Sequence, residues 1–195
     1  MSLFNSYIGV ATLLLWLAPN VQSATSAGFI ATIVGTGTAG SAGDGGAATS
    51  AELYTPYSAV IDNDGSNLYI SDLLNGKVRK VAFQSGSTIS TFAGSGYSLA
   101  ASGTSSNGDG GAATSAVVFP ADVAIDTSSN DIYVVDTTAN KIRKIDGSTG
   151  KITTVVGTGY PAMTGTSFDA GDGGAATSAT LLSPFGICLD SSDSI

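Results

Sequence analysis

The chain has 195 residues, the length of one domain or of part of a larger one. Fifteen carboxylates against seven Lys and Arg give a net charge of −8, which argues against a phosphate-binding surface and so against nucleic acid or an anionic membrane as partner. The lack of histidine removes Ser-His-Asp and Cys-His catalysis and His-ligated zinc, and a single cysteine cannot close an internal disulfide. Gly, Ala, Ser and Thr are abundant, yet 43% apolar residues and a positive mean hydropathy oppose disorder.

The first element in chain order is an address. Tyr7 to Ala18 is an uncharged apolar run, closed by Pro19-Asn20 and followed by Val21-Gln22-Ser23 with small or β-branched residues at the −3 and −1 positions. This pattern predicts a signal peptide over residues 1–23, cleaved after Ser23, although Met1 to Ser6 carries no Lys or Arg. Residues 24–28 read as a short linker. No second long apolar stretch follows, so no membrane span is expected in the mature chain, and a secreted or extracellular location is.

From residue 29 onward the sequence repeats. Gly43-Asp44-Gly45-Gly46-Ala47-Ala48-Thr49-Ser50-Ala51 recurs at Gly108 to Ala116 and at Gly171 to Ala179. Pro56, Pro120 and Pro184 follow one another at 64 residues, each six residues before an Asp-bearing turn at Asp62, Asp126 and Asp190. Within one period, Tyr57 to Asp62, Asn67 to Asp72, Lys77 to Phe83 and Thr88 to Ala93 are rich in Val, Ile, Tyr and Phe and read as strands. Asn63 to Ser66, Leu73 to Gly76 and Gln84 to Ser87 supply the turn chemistry between them. In Ile132-Tyr133-Val134-Val135 both alternating sets are apolar, so both faces of the sheet need cover. Sheets stacked between like sheets meet that need, as blades of a propeller do. The expected class is all-β: a partial β-propeller of about two complete four-stranded antiparallel blades plus flanking strands.

The string Ile-x-Thr-x-x-Gly-x-Gly, Gly-Asp-Gly-Gly, Pro-x-x-x-x-Ile-Asp, Tyr-Ile/Val-x-Asp and Lys-Val/Ile-Arg-Lys resembles NHL repeats, in the long-period form of bacterial secreted and teneurin-type proteins. The resemblance covers residues 29–195, with repeats at about 30–93, 94–156 and a partial 157–195. It implies a propeller, usually of six blades, for which roughly 380 residues are needed at this period. Here there are two complete blades, a leading outer strand (Phe29 to Val34) and a trailing inner one (Phe185 to Asp190). A truncated product is therefore expected, rather than blades supplied by other chains.

Several motifs have two readings. Gly35-Thr36-Gly37-Thr38-Ala39-Gly40 matches a dinucleotide fingerprint, but Ser41 to Gly46 cannot begin the helix it requires, so no cofactor is expected and the glycines read as blade-exit turns. Asp62-Asn63-Asp64-Gly65-Ser66 looks like the start of a calcium loop; without a Glu at its twelfth position, Asx-type turn bonding is the better reading. Asp44, Asp109 and Asp172 recur inside glycine loops and are weak metal candidates; otherwise each caps the short helical turn that follows it. Alternation places Arg79 diagonally across from Asp72, and Arg143 from Asp136, as paired contacts. Cys188 aligns with Val60 and Ala124 and is expected to be small and buried.

One segment varies between copies. It spans Thr38 to Ala42 in the first repeat, but Tyr97 to Asn107 and Tyr160 to Ala170 in the next two, a change tolerable only at the surface. Tyr97, Leu99, Tyr160, Met163 and Phe168 on the longer loops are candidate partner contacts. The expected function is a secreted or cell-surface, non-enzymatic recognition scaffold that binds a protein or glycan through its loops, with no catalytic residues assigned. Self-association through exposed blade faces is also expected. The alternative is a fragment of a lyase, lactonase or esterase-like propeller enzyme whose active site lies on other blades.

Overall fold

The computed structural model describes residues 30–96, 108–159 and 170–190; the leader and the linker lie outside the described residues. Two four-stranded antiparallel sheets follow one another. The first contains β1 (Pro56–Ile61), β2 (Asn67–Asp72), β3 (Lys77–Ala82) and β4 (Thr88–Ala93). The second contains β5 (Pro120–Ile125), β6 (Ile132–Asp136), β7 (Lys141–Ile145) and β8 (Ile152–Val156). Each is a simple meander; in the first sheet, connections of four residues (Leu73 to Gly76) and five residues (Phe83 to Ser87) are too short to cross a sheet. Gly76 lies at φ 57° where the first of these turns re-enters β3; Asn140 takes the same left-handed place before β7, at φ 54°.

Register explains which side chains share a face. Ile70 pairs with Arg79 and Asp72 with Lys77, so Leu68, Ile70, Asp72, Arg79 and Val81 look one way. Tyr69, Ser71, Val78 and Lys80 look the other. The alternation predicted for Arg79 and Asp72 is therefore present. Two bulges recur in both sheets. One makes Tyr57 and Ala121 extra residues in the inner strands; the other puts Thr91 opposite Arg79, and Thr154 opposite Arg143.

Three apolar layers result. Leu68, Ile70, Val81 and Ile89 pack under Ala48, Ala51 and Val34. The opposite face of the first sheet, with Tyr69, Val78 and Ala93, packs on Val123, Ile132, Val134, Ile145 and Ile152 of the second. The far face of the second sheet carries Tyr133, Val135 and Ile142 against Leu181, Ile187 and Leu189. Burial on both faces is why the β6 sequence shows no polar alternation. Residues 30–34 and 185–190 occupy the flanking positions, but neither belongs to a hydrogen-bonded ladder.

The glycine loops join the sheets. Each ends in a 3-10 turn: Ala48–Ser50, Ala113–Ser115 and Ala176–Ser178. The loop pairs with the outer strand of its own sheet, through Gly45 N–H to the Ile89 carbonyl at 2.8 Å and Ile89 N–H to Gly46 at 3.0 Å. It also receives the preceding repeat: Gly94 N–H donates to Ala113 and Ser95 N–H to Ala116, as Gly35 and Thr36 do to Ala48 and Ala51. Gly43 permits this closeness. It sits at φ +105°, and a Cβ there would come within 2.7 Å of the Ala51 Cα.

Candidate functional site

The repeated charged residues meet in one network per sheet. Arg79 is fully buried, and its Nη1 donates to Asp72 at 3.2 Å and to the Glu52 carbonyl at 3.2 Å. Its Nη2 donates to Asp44 at 2.6 Å, and the Thr91 hydroxyl donates to the other oxygen of Asp44 at 2.6 Å. Asp72 also accepts the Tyr54 N–H and the Asn75 amide, both at 2.7 Å. The second sheet repeats the arrangement with Arg143, Asp136, Asp109 and Thr154, the Phe119 N–H reaching Asp136 at 3.0 Å.

This corrects the capping role expected of the glycine-loop aspartates. Asp44 and Asp109 bond no backbone N–H of the 3-10 turns, which carry no side-chain cap, because the loop lies over the guanidinium and the strand threonine. Asp172 holds the same place in the third loop, where no sheet among the described residues brings an arginine to it. Among the described residues, no three His, Cys, Asp or Glu side chains gather as metal ligands.

The hairpin aspartates bond their own turns. Asp62 accepts the Asn67 N–H at 2.9 Å, and Asp126 accepts the N–H groups of Ser128 and Ser129. Gly35 and Gly94 lie in the clasps between repeats, as blade-exit turns should. Cys188, however, is exposed rather than buried. Its counterparts Val60 and Ala124 pack in layers between sheets or beneath the trailing segment. Cys188 lies on that trailing segment, with no sheet over it among the described residues.

Burial pushes the Asp136 carboxyl up, against the Phe119 N–H and the Arg143 charge that pull it down. Burial also raises Asp44, but bonds from Thr91 and Arg79 outweigh it and leave the group below its ordinary value. Hydrogen bonds from Ser148 and Thr149 hold Asp146 down at about 2, and those from Ser128 and Ser129 hold Asp126 low as well. Lowered carboxylates contribute stability above their unfolded pKa that is lost as pH falls through the folded one. Asp136 has the opposite sign: its contribution is full below the unfolded pKa and is lost as pH rises through the folded value. Acidification from about pH 6 to 2 should therefore destabilise the chain overall, and more steeply in Asp136→Asn, which lacks the opposing carboxyl. Urea melts across that range test this; an unchanged slope in the variant would contradict it.

Two open surfaces stand out among the described residues. Between residues 32–34 and the first sheet runs an apolar groove of about 310 Å³, lined by Leu53, Tyr57, Ala59, Leu68 and Ile70 among others. The second surface is the end of the sheets where β1 begins and β2 and β4 finish. There Tyr57 and Phe185 meet edge to face, ring centroids 5.3 Å apart. β4 and β8 also finish at this end, ahead of Gly96 and Gly159, the last described residues before the second and third variable segments. Tyr97, Leu99, Tyr160, Met163 and Phe168 themselves lie outside the described residues. Sequence reading missed the Tyr57–Phe185 pair; its signal was the aromatic residue following Pro56 and Pro184 at equivalent places.

No protein-family profile and no curated protein sequence matches the chain. Solved structures do. A structural genomics protein of unknown function from Bacteroides thetaiotaomicron is 25% identical, with a TM-score of 0.53 over 74% of this chain and 33% of its own. An auxiliary nutrient binding protein from Bacteroides ovatus is 16% identical, with a TM-score of 0.50 over 68% of this chain and 32% of its own. One from Bacteroides thetaiotaomicron is 14% identical, with a TM-score of 0.51 over 69% and 32%. The chain thus spans about a third of the length of the structures it matches. The fold is all-β, a partial β-propeller with two four-stranded blades. Among the described residues no helix is long and apolar enough to cross a membrane.

Proposed function

We propose that this chain is part of a non-enzymatic recognition propeller of the NHL-repeat kind, secreted or held at the cell surface after removal of residues 1–23, and that it binds a protein or glycan through one end of its blades. One observation carries the reading. The repeated charges are spent on internal networks, whereas the outer strands that lead into the variable segments finish at the end of the sheets that carries a half-exposed aromatic pair. A rigid repeat scaffold with one changing edge is the arrangement of a binding surface. Auxiliary nutrient binding proteins of Bacteroides share this fold, which agrees with a binding role.

The test is capture. The chain is immobilised and exposed to extracellular protein and soluble glycan fractions, with Tyr97→Ala and Tyr160→Ala as variants. Both variants should keep the melting temperature and lose partner capture. Lowered melting with unchanged capture would make these side chains packing residues and place the partner surface elsewhere.

A further inference from the structure

The inner-strand bulges gather two aromatic rings that neither the charge networks nor the variable segments use. Tyr57 is the extra residue of β1 and Ala121 that of β5, and Phe185 stands at the same position in the trailing segment. A bulge turns its side chain out of the ladder, so this position is aimed differently from the rest of its strand. Ala121 is fully buried, whereas Tyr57 and Phe185 are 59% and 51% exposed. The small residue in the middle repeat leaves the outer two free to meet, with their planes at 74°. Two large rings packed on each other rather than in the core form a corner of apolar surface open to water, an arrangement typical of a contact site.

The surroundings narrow what fits. Six of the seven cationic residues lie on β3 and β7, and Lys151 borders β8, so no basic side chain belongs to an inner strand. An anionic ligand would also meet the net charge of −8. Next to Ala121, the Asp122 carboxylate is fixed by the N–H groups of Val123 at 2.8 Å and Ile187 at 3.0 Å, and keeps lone pairs to accept further hydroxyl hydrogens. A ligand for this corner needs flat C–H surface for the negative ring faces and hydroxyl donors at its rim. A sugar ring has both.

We propose that Tyr57 and Phe185 form a contact site for one pyranose ring of a neutral glycan. This rests on the recognition reading above and narrows it. The experiment is calorimetric titration of the full chain with cellohexaose, mannohexaose, xylohexaose and maltohexaose. At least one should bind, and Tyr57→Ala and Phe185→Ala should each weaken it by about tenfold. Tyr57→Phe should retain affinity, because the ring remains. Phe185→Leu, which keeps apolar volume without the ring, guards against misfolding of the alanine variant and should weaken binding as much. No binding by the parent chain, or unchanged affinity in the alanine variants, overturns the site. Should protein capture through Tyr97 and Tyr160 persist while no hexaose binds, only the corner falls. Loss of both would overturn the recognition reading as well.

Discussion

Arg143→Met should lower the unfolding free energy by about 3–5 kcal/mol, because it strands a buried charge. Asp136 is 1% exposed and lies on the face of the second sheet that packs against the first. Burial already drives its carboxyl up with the arginine in place. Without the guanidinium, Asp136 retains only N–H donors such as Phe119, and Asp109 loses its 2.6 Å partner. Against total stabilities of about 5–15 kcal/mol, that is a large fraction. Adding Asp136→Asn should return part of the loss, since the amide needs no counter-charge. Urea denaturation of the three chains decides it. A loss under about 1 kcal/mol in the single variant would mean the network contributes little to stability.

The second large effect is on association. At micromolar concentration the chain should sediment as open-ended oligomers. Leu68, Ile70, Val81 and Ile89 are the counterparts of Ile132, Val134, Ile145 and Ile152, which lie buried beneath the neighbouring sheet. On the first sheet Ala48, Ala51 and Val34 cover these side chains, but no neighbouring sheet does among the described residues, and the groove stays open beside them. Along that side Ile30 is 100% exposed, Ile33 48% and Ile61 52%. The surface that fits it, in repeat terms, is the far side of the second sheet, where the trailing segment covers Tyr133, Val135 and Ile142 and leaves Leu182 and Phe185 each 51% exposed. Contact between unlike faces does not close on itself, so growth continues. Ile33→Glu with Ile61→Glu should shift the population to monomer without changing the circular dichroism. A monodisperse parent chain in sedimentation would refute this expectation.

Strand positions were readable because each landmark recurs with the same neighbours, so an error in one copy is corrected by the next. β2 and β4 fall where the Val, Ile and Tyr runs begin and end. The diagonal pairing of Arg79 with Asp72 followed from turn length and alternation alone. The role of Asp44 did not, because its partners Arg79 and Thr91 lie 35 and 47 residues away. Their joint recurrence as Asp109, Arg143 and Thr154 was the available signal. Bulges leave no mark in composition, so Tyr57 read as an ordinary strand residue. Cys188 failed for another reason: alignment transfers a residue's place in its strand but not the sheet that covers it.

The glycine loops are each held by two repeats, and this sets how disturbance travels. The loop from Gly108 to Ala116 is bonded to β8 of its own sheet and receives Gly94 and Ser95 from the sheet before. Opening the second sheet therefore releases amides that belong, in sequence, to the end of the first. Those amides should exchange with solvent when either repeat opens, at the pace of the weaker of the two. Protection is thus out of phase with the covalent repeat. A fault introduced in one blade is felt first at the exit of its predecessor, and the array loosens from each defect toward the N-terminus.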